Sequence, residues 1–398
     1  MAGTAMSASQ KKKLLIVIHR LNIGGVQKSL ISALRFIDYD KFDVTLYVRQ
    51  NRLELLSQAD GRVDRIIVND DENDYYRKPE AISLGLKIRT AKLFGKDAKE
   101  TEKKLRRRVI ENGMLYERNR FFPDDSEYDV AVSYIQGETA EFVAKYINAR
   151  HKIVLFHGSV DEGHEIHKEV FPLFDRIAAM NAGCADMLKS AYSGIEDKVT
   201  VIGNYVDPDA VRTAAAEYPV NRDGRLTLCT CGRFTRVKGF DLAVGAAARL
   251  KEEGVDFVWF FVGDGTERKD LEKQIADKGL SDNIIITGLK DNPYPYISAC
   301  DIYVQPSREE SFGLAIKEAQ ILSRPVVSTA TVGGMDLISD GKTGSLADIG
   351  SDDLYDKIIT LSHSEELRMN IACNLSGTDY SADRERFRLA WDSLLSFD

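Results

Sequence analysis

Residues 305–319 read QPSREESFGLAIKEA and join the apolar run Ile302–Val304 to a helical pattern. The run is short and β-branched, so it predicts a buried strand that ends in a polar turn, and a helix then begins near Leu314. A strand, a turn and a helix in this order form the repeating unit of a parallel α/β sheet. Because open parallel sheets bind ligands at the carboxyl ends of their strands, this turn is also a candidate binding site.

Other short apolar runs alternate with helical patterns along both halves of the chain. In the first half they are Leu14–Ile18, Val44–Val48, Val63–Val68, Val130–Tyr134, Lys152–Phe156 and Arg176–Met180. In the second half they are Leu226–Cys229, Val255–Val262, Asn283–Thr287, Ile302–Val304 and Pro325–Ser328. A chain of 398 residues is long enough for two separate cores. The sequence therefore predicts an α/β protein with two doubly wound, Rossmann-like domains that face a central cleft.

Turn-forming residues between the two series place the linker near residues 205–224. We expect an N-terminal domain over 11–204, with a basic helical insertion near 80–122, and a C-terminal domain over 205–380. The segment 381–398 has apolar residues at helical spacing, which predicts a helix that packs back on the N-terminal domain.

The composition is that of an ordinary globular protein, with 43% hydrophobic and 29% charged residues. A net charge of −8 argues against a nucleic-acid partner. The five cysteines are odd in number and lack CxxC spacing, which favours neither disulfides nor zinc. There is no apolar run of membrane-spanning length and no signal-peptide pattern, so we expect a cytoplasmic protein.

Residues 87–120 break this acidic balance, with 12 Lys or Arg against 5 Asp or Glu. An apolar stripe, Leu105, Val109, Ile110 and Met114, follows one helical face of the segment. This pattern fits a basic amphipathic helix in peripheral contact with an anionic membrane, on the inner face of the cell membrane. A solvated helix or an inserted loop is the alternative.

The pair Gly24-Gly25 follows the first predicted strand and precedes a helix. Glycines at such a place let backbone N–H groups approach a phosphate at the helix N-terminus. A structural tight turn explains the pair equally well. The full GxGxxG fingerprint and the GxxxxGK[ST] loop are both absent from the sequence, which argues against a dinucleotide enzyme and a P-loop NTPase.

Arg233 and Lys238 lie five residues apart in the turn after the first strand of the second half. A planar guanidinium and a compact ammonium suit a diphosphate, whose negative charge grows as it leaves. Surface ion pairing is the simpler alternative.

Glu310 and Glu318 bracket the turn with which the chain enters its second-half helix. The backbone N–H groups of Ser311, Phe312, Gly313 and Leu314 would open that helix, and such groups favour an anion. Eight helical residues rise about 12 Å, so one carboxylate can contact a transferred sugar while the other accepts hydrogen bonds from a ribose. Two unrelated surface glutamates at this spacing are the alternative.

These motifs together resemble the retaining glycosyltransferases of the GT-B architecture, in their large group four. The resemblance rests on the E-x7-E motif Glu310 to Glu318, on Gly232-Arg233 with Val237-Lys238-Gly239, and on Phe261-Val-Gly-Asp-Gly265, Pro306-Ser307 and Val332-Gly-Gly334. It is close from about residue 200 to 347 and looser before that. Asn181 departs from the family pattern, which often has Ser there.

The resemblance implies a role for each matching residue. Arg233 and Lys238 would hold the donor phosphates, Glu318 the ribose, and Glu310 with the peptides of 311–314 the donor sugar and phosphate. From the opposite domain, Gly24 and Gly25 would close on the diphosphate. His157 is similar to the family's strand-end histidine at the reacting sugar, although a histidine after an apolar strand can equally be structural. His164 and His167 are further candidates to face the acceptor.

The implied reaction moves a sugar from a nucleotide-diphosphate sugar, with UDP-sugars favoured, to a hydroxyl of a saccharide or lipid-linked acceptor. It would retain the anomeric configuration, need no cofactor or metal, and serve surface polysaccharide or glycoconjugate biosynthesis. A sugar-nucleotide epimerase or a phosphorylase of the same architecture is one alternative. A noncatalytic partner of a glycosyltransferase is another.

Overall fold

The computed structural model describes residues 11–71, 73–91, 98–124, 126–158 and 164–397. The chain divides into two compact units. The first comprises Met1–Ala179, Ala185–Ile202 and Leu389–Asp398, and the second comprises Met180–Cys184 and Gly203–Arg388.

A parallel sheet forms the centre of the first unit. Its strands are β1 (Lys12–Ile18), β2 (Phe42–Val48), β3 (Arg65–Val68), β4 (Tyr128–Ser133), β5 (Ala149–Phe156), β6 (Arg176–Ala179) and β7 (Val199–Val201). Their order across the sheet is β3-β2-β1-β4-β5-β6-β7, so the chain reverses direction across the sheet between β1 and β4. The apolar residues 14–18 of β1 are wholly buried because helices cover both faces of the sheet, which is why the strand reads as a continuous apolar run.

Helices connect these strands. They are α1 (Gly25–Leu34), α2 (Pro79–Ala91), α3 (Ala98–Phe121), α4 (Glu138–Tyr146), α5 (His164–Val170) and α6 (Ala182–Ala191). The basic segment predicted as one helix is thus two, α2 and α3. Met114 on α3 is buried, and Leu105, Val109 and Ile110 are half-buried, so the predicted apolar stripe packs within the protein.

The second unit repeats the plan with its own parallel sheet. Its strands are β8 (Leu226–Cys231), β9 (Phe257–Val262), β10 (Ile284–Gly288), β11 (Ile302–Gln305), β12 (Val326–Thr329) and β13 (Gly344–Ala347). The order is β10-β9-β8-β11-β12-β13, and the reversal falls between β8 and β11. The helices are α7 (Pro208–Ala215), α8 (Phe240–Glu252), α9 (Arg268–Asp277), α10 (Tyr294–Ala299), α11 (Leu314–Ile321), α12 (Val332–Leu337), α13 (Ser351–His363) and α14 (Glu365–Ser376). The last helix, α15 (Ser381–Leu395), begins in the second unit, and its residues from Leu389 onward belong to the first.

The interior strand β9 shows how the sequence builds this layered core. Trp259 and Phe261 pack into the hydrophobic cluster that includes α8 and α13. Val258, Phe260 and Val262 pack into the cluster that includes α10 and α11. Successive side chains of a strand point to opposite faces, so an uninterrupted apolar run supplies both layers.

The predicted fold class is confirmed, because the chain forms two doubly wound, Rossmann-like α/β units. The strands β7 and β13 were not predicted, since each is short and lies at a sheet edge. No helix within the described ranges is both long enough and apolar enough to cross a membrane.

Candidate functional site

The loop between β8 and α8 is held in place by its backbone. The amide of Gly232 donates to the carbonyl of Val262 at 3.0 Å, and the amide of Phe234 donates to the carbonyl of Asp264, also at 3.0 Å. Gly239 has φ 64°, and a Cβ there would overlap the carbonyl oxygen of Pro306. Only glycine fits, because the next loop passes directly against it.

That next loop, which follows β11, is tied to the first through Arg308. Its amide donates to the carbonyl of Val237 at 2.7 Å. Its guanidinium forms a two-pronged ion pair with Asp241, with both N–O distances 2.7 Å. This contact holds the pKa of the Asp241 carboxyl below its usual range. The two loops at the sheet reversal therefore form one rigid platform.

Lys238 and Glu310 meet on this platform. The Lys238 ammonium donates to Glu310 Oε2 at 2.7 Å. Gln305 Nε2 and Ser307 Oγ each lie 3.4 Å from the same carboxylate oxygen. An ammonium has three donors, so Lys238 can keep this contact and still bind a further anion. Arg233 is exposed on the same loop and forms no ion pair with any other residue that the structure describes.

The N-terminus of α11 completes the platform. Gly313 caps the helix in the left-handed conformation, with φ 82° and ψ 48°. Gly333 lies so close that a Cβ on it would be 2.7 Å from the carbonyl carbon of Phe312. Its amide donates to the Glu310 carbonyl at 2.8 Å. The peptides of 311–314 are thus fixed where orphan helix amides attract an anion.

Asn181 supports this turn, a role that the sequence did not reveal. Its Nδ2 donates to the carbonyl of Ser311 at 2.6 Å, while its Oδ1 accepts from the amide of Cys184 at 2.8 Å. The side-chain amide has a donor and an acceptor to satisfy both partners, whereas a serine side chain is shorter. The departure from the family pattern therefore fastens the turn after β11.

Glu318 lies on the first turns of α11 and is 5% exposed. Its Oε1 accepts a hydrogen bond from the hydroxyl of Tyr294 at 2.8 Å. Tyr294 opens α10 and was not predicted as a site residue, because its contact with Glu318 spans 24 positions. This hydroxyl orients the carboxylate that is predicted to hold a ribose.

In the first unit, the predicted residues follow the carboxyl ends of β1 and β5, the two strands that flank β4 in the sheet. Gly24 precedes α1, and the exposed Gly25 is its first residue. From the same helix, Ser29 Oγ lies 3.0 Å from the hydroxyl of Tyr134, which follows β4. The ring of Tyr134 lies 5.4 Å from the ring of His157, measured between centroids.

His157 follows β5 directly, and its amide donates to Gln136 Oε1 at 3.1 Å. Burial lowers the pKa of its imidazole to about 4. The ring is therefore neutral at pH 7, so it can take part in hydrogen bonds without carrying a positive charge.

His167 was wrongly expected to face an acceptor. Its side chain is wholly buried, stacks on Phe171 at 4.7 Å between ring centroids, and has Nδ1 3.0 Å from the Tyr192 hydroxyl. It belongs to the core of the first unit because α5 turns this face inward. The side chain of His164 lies outside the described part of the structure.

Of the predicted residues, Lys238 and Glu310 are in direct contact. The roles of all the predicted residues in binding and catalysis stay predictions. Across the described ranges there is no group of three or more His, Cys, Asp or Glu side chains that could hold a metal ion. That the reaction needs no metal also stays a prediction.

Sequence comparison with known proteins finds a family match within the second unit. Residues 212–375 match the family model described as glycosyl transferases group 1. Lipopolysaccharide core biosynthesis glycosyltransferase LpsE of Rhizobium meliloti is 32% identical over 179 residues, which cover 44% of this chain and 50% of that protein. Alpha-D-kanosaminyltransferase of Streptomyces kanamyceticus is 35% identical over 155 residues, covering 38% of this chain and 40% of that protein. The chain thus spans half or less of the length of these curated relatives.

Solved structures resemble the chain over both units. Anabaena Alr3699/HepE, in complex with UDP and glucose, has a TM-score of 0.68 and 17% identity, covering 97% of this chain and 98% of its own. TarM has a TM-score of 0.71 and 14% identity, covering 97% of this chain and 100% of its own. At such identities the likeness establishes the shared two-domain fold, that of the GT-B architecture. The match to the glycosyl transferases group 1 model covers 164 of the 398 residues, from 212 to 375.

Proposed function

We propose that this protein transfers a sugar from a nucleotide-diphosphate sugar to a hydroxyl of a saccharide or lipid-linked acceptor, with retention of configuration. The observation that carries the proposal is the Lys238–Glu310 contact of 2.7 Å on a platform built from two loops at the sheet reversal. Arg233 and the peptides of 311–314 add positive potential to the same place. Ligands bind open α/β sheets where the strand order reverses, so the contact lies where a donor is expected.

The chemistry follows from where charge develops. As the glycosidic bond to the diphosphate breaks, negative charge grows on the leaving oxygens, and Lys238, Arg233 and the amides of α11 would stabilise it. The sugar becomes oxocarbenium-like, and a leaving phosphate oxygen assists deprotonation of the acceptor hydroxyl. Glu310 would contact the sugar without forming a covalent bond. A neutral His157 would donate or accept a hydrogen bond at the reacting sugar.

The preference for UDP-sugars and for surface glycoconjugates rests on relatives. Alr3699/HepE has been solved in complex with UDP and glucose, and a TarM variant in complex with UDP. LpsE is named for lipopolysaccharide core biosynthesis. A cytoplasmic location and peripheral contact of 87–120 with an anionic membrane stay predictions. Such contact would use exposed basic side chains of α3, namely Lys103, Lys104 and Arg108, since its apolar stripe packs inward.

Turnover of UDP-, GDP- and ADP-sugars by the full chain, followed by NMR of both products, tests the proposal. We expect free nucleotide diphosphate together with a glycoside of the donor's anomeric configuration. Lys238→Ala and Glu310→Ala should each lower turnover by at least about 10²-fold, the loss typical of removed transition-state contacts. Lys273→Ala, an exposed lysine on α9, is the matched control and should leave turnover unchanged.

Three results would contradict the proposal. Near-normal turnover by the folded Lys238 and Glu310 variants would remove the assigned site. An isomerised donor would indicate an epimerase, and a sugar phosphate a phosphorylase. A glycoside of inverted configuration would contradict only the proposed retention and would leave the proposed sugar transfer standing.

A further inference from the structure

A cavity of about 280 Å³ lies in the first unit. The carboxyl ends of β1, β2 and β3 contribute His19, Arg49 and Asn69 to its walls, the turn before α2 contributes Tyr75, and α3 contributes Glu117. Pockets for drug-sized ligands range from about 300 to 1,000 Å³, so this cavity has room for one small ring.

Three of these side chains are buried and have a polar atom left over. Arg49 is 8% exposed, Asn69 7% and Tyr75 5%. Arg49 Nη1, Asn69 Oδ1 and the Tyr75 hydroxyl have no hydrogen-bond partner among the residues that the structure describes. Buried polar groups are nearly always paired, because an unpaired one loses its hydrogen bonds to water without replacement. Three of them around one cavity indicate a ligand.

Arg49 is fixed so firmly that its remaining donor has a set position. Its Nε donates to Glu117 Oε1 at 2.8 Å and its Nη2 to Glu117 Oε2 at 2.7 Å. The Tyr47 hydroxyl donates to the same carboxylate at 2.8 Å, and the guanidinium lies 4.7 Å above the ring centre of Phe142. Groups held in place before binding lose little freedom when a ligand arrives.

A glycine on α3 leaves room for the ring of Tyr75. Gly113 lies within α3, where glycine disfavours a helix relative to alanine. A Cβ at Gly113 would lie 3.3 Å from Tyr75 Cδ1, tighter than an ordinary contact. The glycine therefore lets the Tyr75 ring lie against the helix beside the cavity.

The leftover atoms specify a neutral ligand. Arg49 offers a donor, Asn69 an acceptor, and the Tyr75 hydroxyl can be either. The Arg49 charge is already balanced by Glu117, and the other charged groups that line the cavity are Arg120, Asp71 and Glu138, so positive charge is not in excess. Burial lowers the pKa of His19 to about 4, and the positive charges of Arg49 and Arg20 act in the same direction. The His19 ring is therefore neutral too. A ligand that presents several hydroxyl groups satisfies this mixture, whereas an anion would leave the Asn69 oxygen without a donor.

We propose that the cavity binds one uncharged sugar ring of the acceptor through Arg49 Nη1, Asn69 Oδ1 and the Tyr75 hydroxyl. The identity of the ring as part of an acceptor rests on the proposed transferase function. The binding of a neutral sugar does not.

Tyr75→Phe is the sharpest test, because it removes a hydroxyl that has no described partner and leaves the ring in place. The probes are methyl glycosides of glucose, galactose and N-acetylglucosamine, with glucuronate and inorganic phosphate as anions. Binding to the full chain is followed by saturation-transfer NMR. We expect at least one methyl glycoside to bind, and Tyr75→Phe and Asn69→Ala each to weaken it about 3- to 10-fold, the effect of one hydrogen bond.

Tyr39→Phe is the matched control. Its hydroxyl donates to the carbonyl of Leu34 at 3.0 Å, and Tyr39 does not line the cavity. This variant should lower thermal stability and leave glycoside binding unchanged, whereas Tyr75→Phe should weaken glycoside binding and leave thermal stability unchanged. A purely structural role for Tyr75 could not produce that reversal.

The proposal is overturned if no methyl glycoside binds, if only the anions bind, or if Tyr75→Phe and Asn69→Ala bind as tightly as the original chain. UDP, GDP and ADP are titrated into the same samples. UDP binding without glycoside binding would overturn this inference and leave the proposed function standing. If Tyr75→Phe weakens glycoside binding and no nucleotide diphosphate binds, this inference stands and the proposed function is overturned.

Discussion

At the scale of single residues, the contact between Lys238 and Glu310 sets the electrostatics of the proposed donor site. The two side chains balance each other's charge at 2.7 Å, and both remain partly exposed, at 28% and 15%. A partly exposed pair of this kind contributes little to folding. Its value lies in position, since the carboxylate holds the ammonium at the place where a diphosphate would bring its charge.

Tyr294 provides a separate test of the ribose site. Tyr294→Phe removes the hydroxyl that donates to Glu318 at 2.8 Å, so the carboxylate loses its orientation while the sugar-contacting groups stay. We expect the KM for the donor to rise about 3- to 10-fold, with kcat within about twofold, as when binding common to ground and transition states is lost. Steady-state kinetics would measure this. Tyr296→Phe, on the same helix, should leave both constants unchanged, and a fall in kcat alone for Tyr294→Phe would contradict the assignment.

His157 makes stability depend on pH in a predictable direction. Its pKa is about 4 in the folded chain, against 6.5 for an ordinary histidine, because burial disfavours the charged ring. Between these two pH values the unfolded chain binds more protons. The stabilisation is therefore complete above pH 6.5 and is lost as the pH falls toward 4, by about 1 kcal/mol per pH unit near pH 5.5.

Urea unfolding at several pH values would measure this effect. His157→Gln should show a shallower loss of the free energy of unfolding between pH 6.5 and 4.5 than the original chain. His363→Gln, which changes an exposed histidine on α13, should keep the original slope. Equal slopes for all three chains would mean that the His157 ring is not held neutral by burial.

At the scale of elements, the platform depends on how closely the loops after β8 and β11 approach each other. Gly239→Ala would place a Cβ on the Pro306 carbonyl oxygen and strain a residue at φ 64°. Gly254→Ala meets the same strain at φ 74°, but its Cβ would have nothing within 4 Å. The two variants therefore separate backbone strain from contact between the loops.

We expect Gly254→Ala to cost about 1–2 kcal/mol of unfolding free energy and to leave turnover unchanged. Gly239→Ala should cost more and should also lower turnover by at least about tenfold, because Lys238 and Glu310 move apart when the loops separate. Urea unfolding and turnover of the donor would measure both. Equal effects of the two substitutions would show that the approach of the loops is unimportant.

The same elements show what the sequence could predict and what it could not. Apolar runs such as that of β9 are local, and they predicted most strands and the fold class. The turn at 305–319 was also local. The contact of Asn181 with Ser311 spans 130 positions and that of Arg49 with Glu117 spans 68, so no periodicity reveals them. The sequence also revealed the apolar stripe on α3. It could not show that the stripe packs within the protein, because that depends on the surrounding elements.

At the scale of the whole molecule, the two proposed binding sites differ in chemistry and lie in two separate units. The second unit has cationic groups and helix amides on a platform suited to an anion. The first has a cavity whose leftover donors and acceptor suit a neutral sugar ring. The family match covers 212–375 and so bears only on the platform of the second unit.

Hydrogen exchange of the full chain should therefore respond in different segments to the two kinds of ligand. UDP should slow amide exchange in 232–240 and 305–318, because bound phosphates and ribose hold both loops and the start of α11 closed. A smaller effect is expected at residues 22–27, around Gly24 and Gly25. A methyl glycoside should instead slow exchange in 69–71, 73–76 and 110–121, which include the side chains that line the cavity. Segment 268–277, in α9, is the internal control. Protection of the cavity segments by UDP, with none at the platform, would contradict this division of binding between the two units.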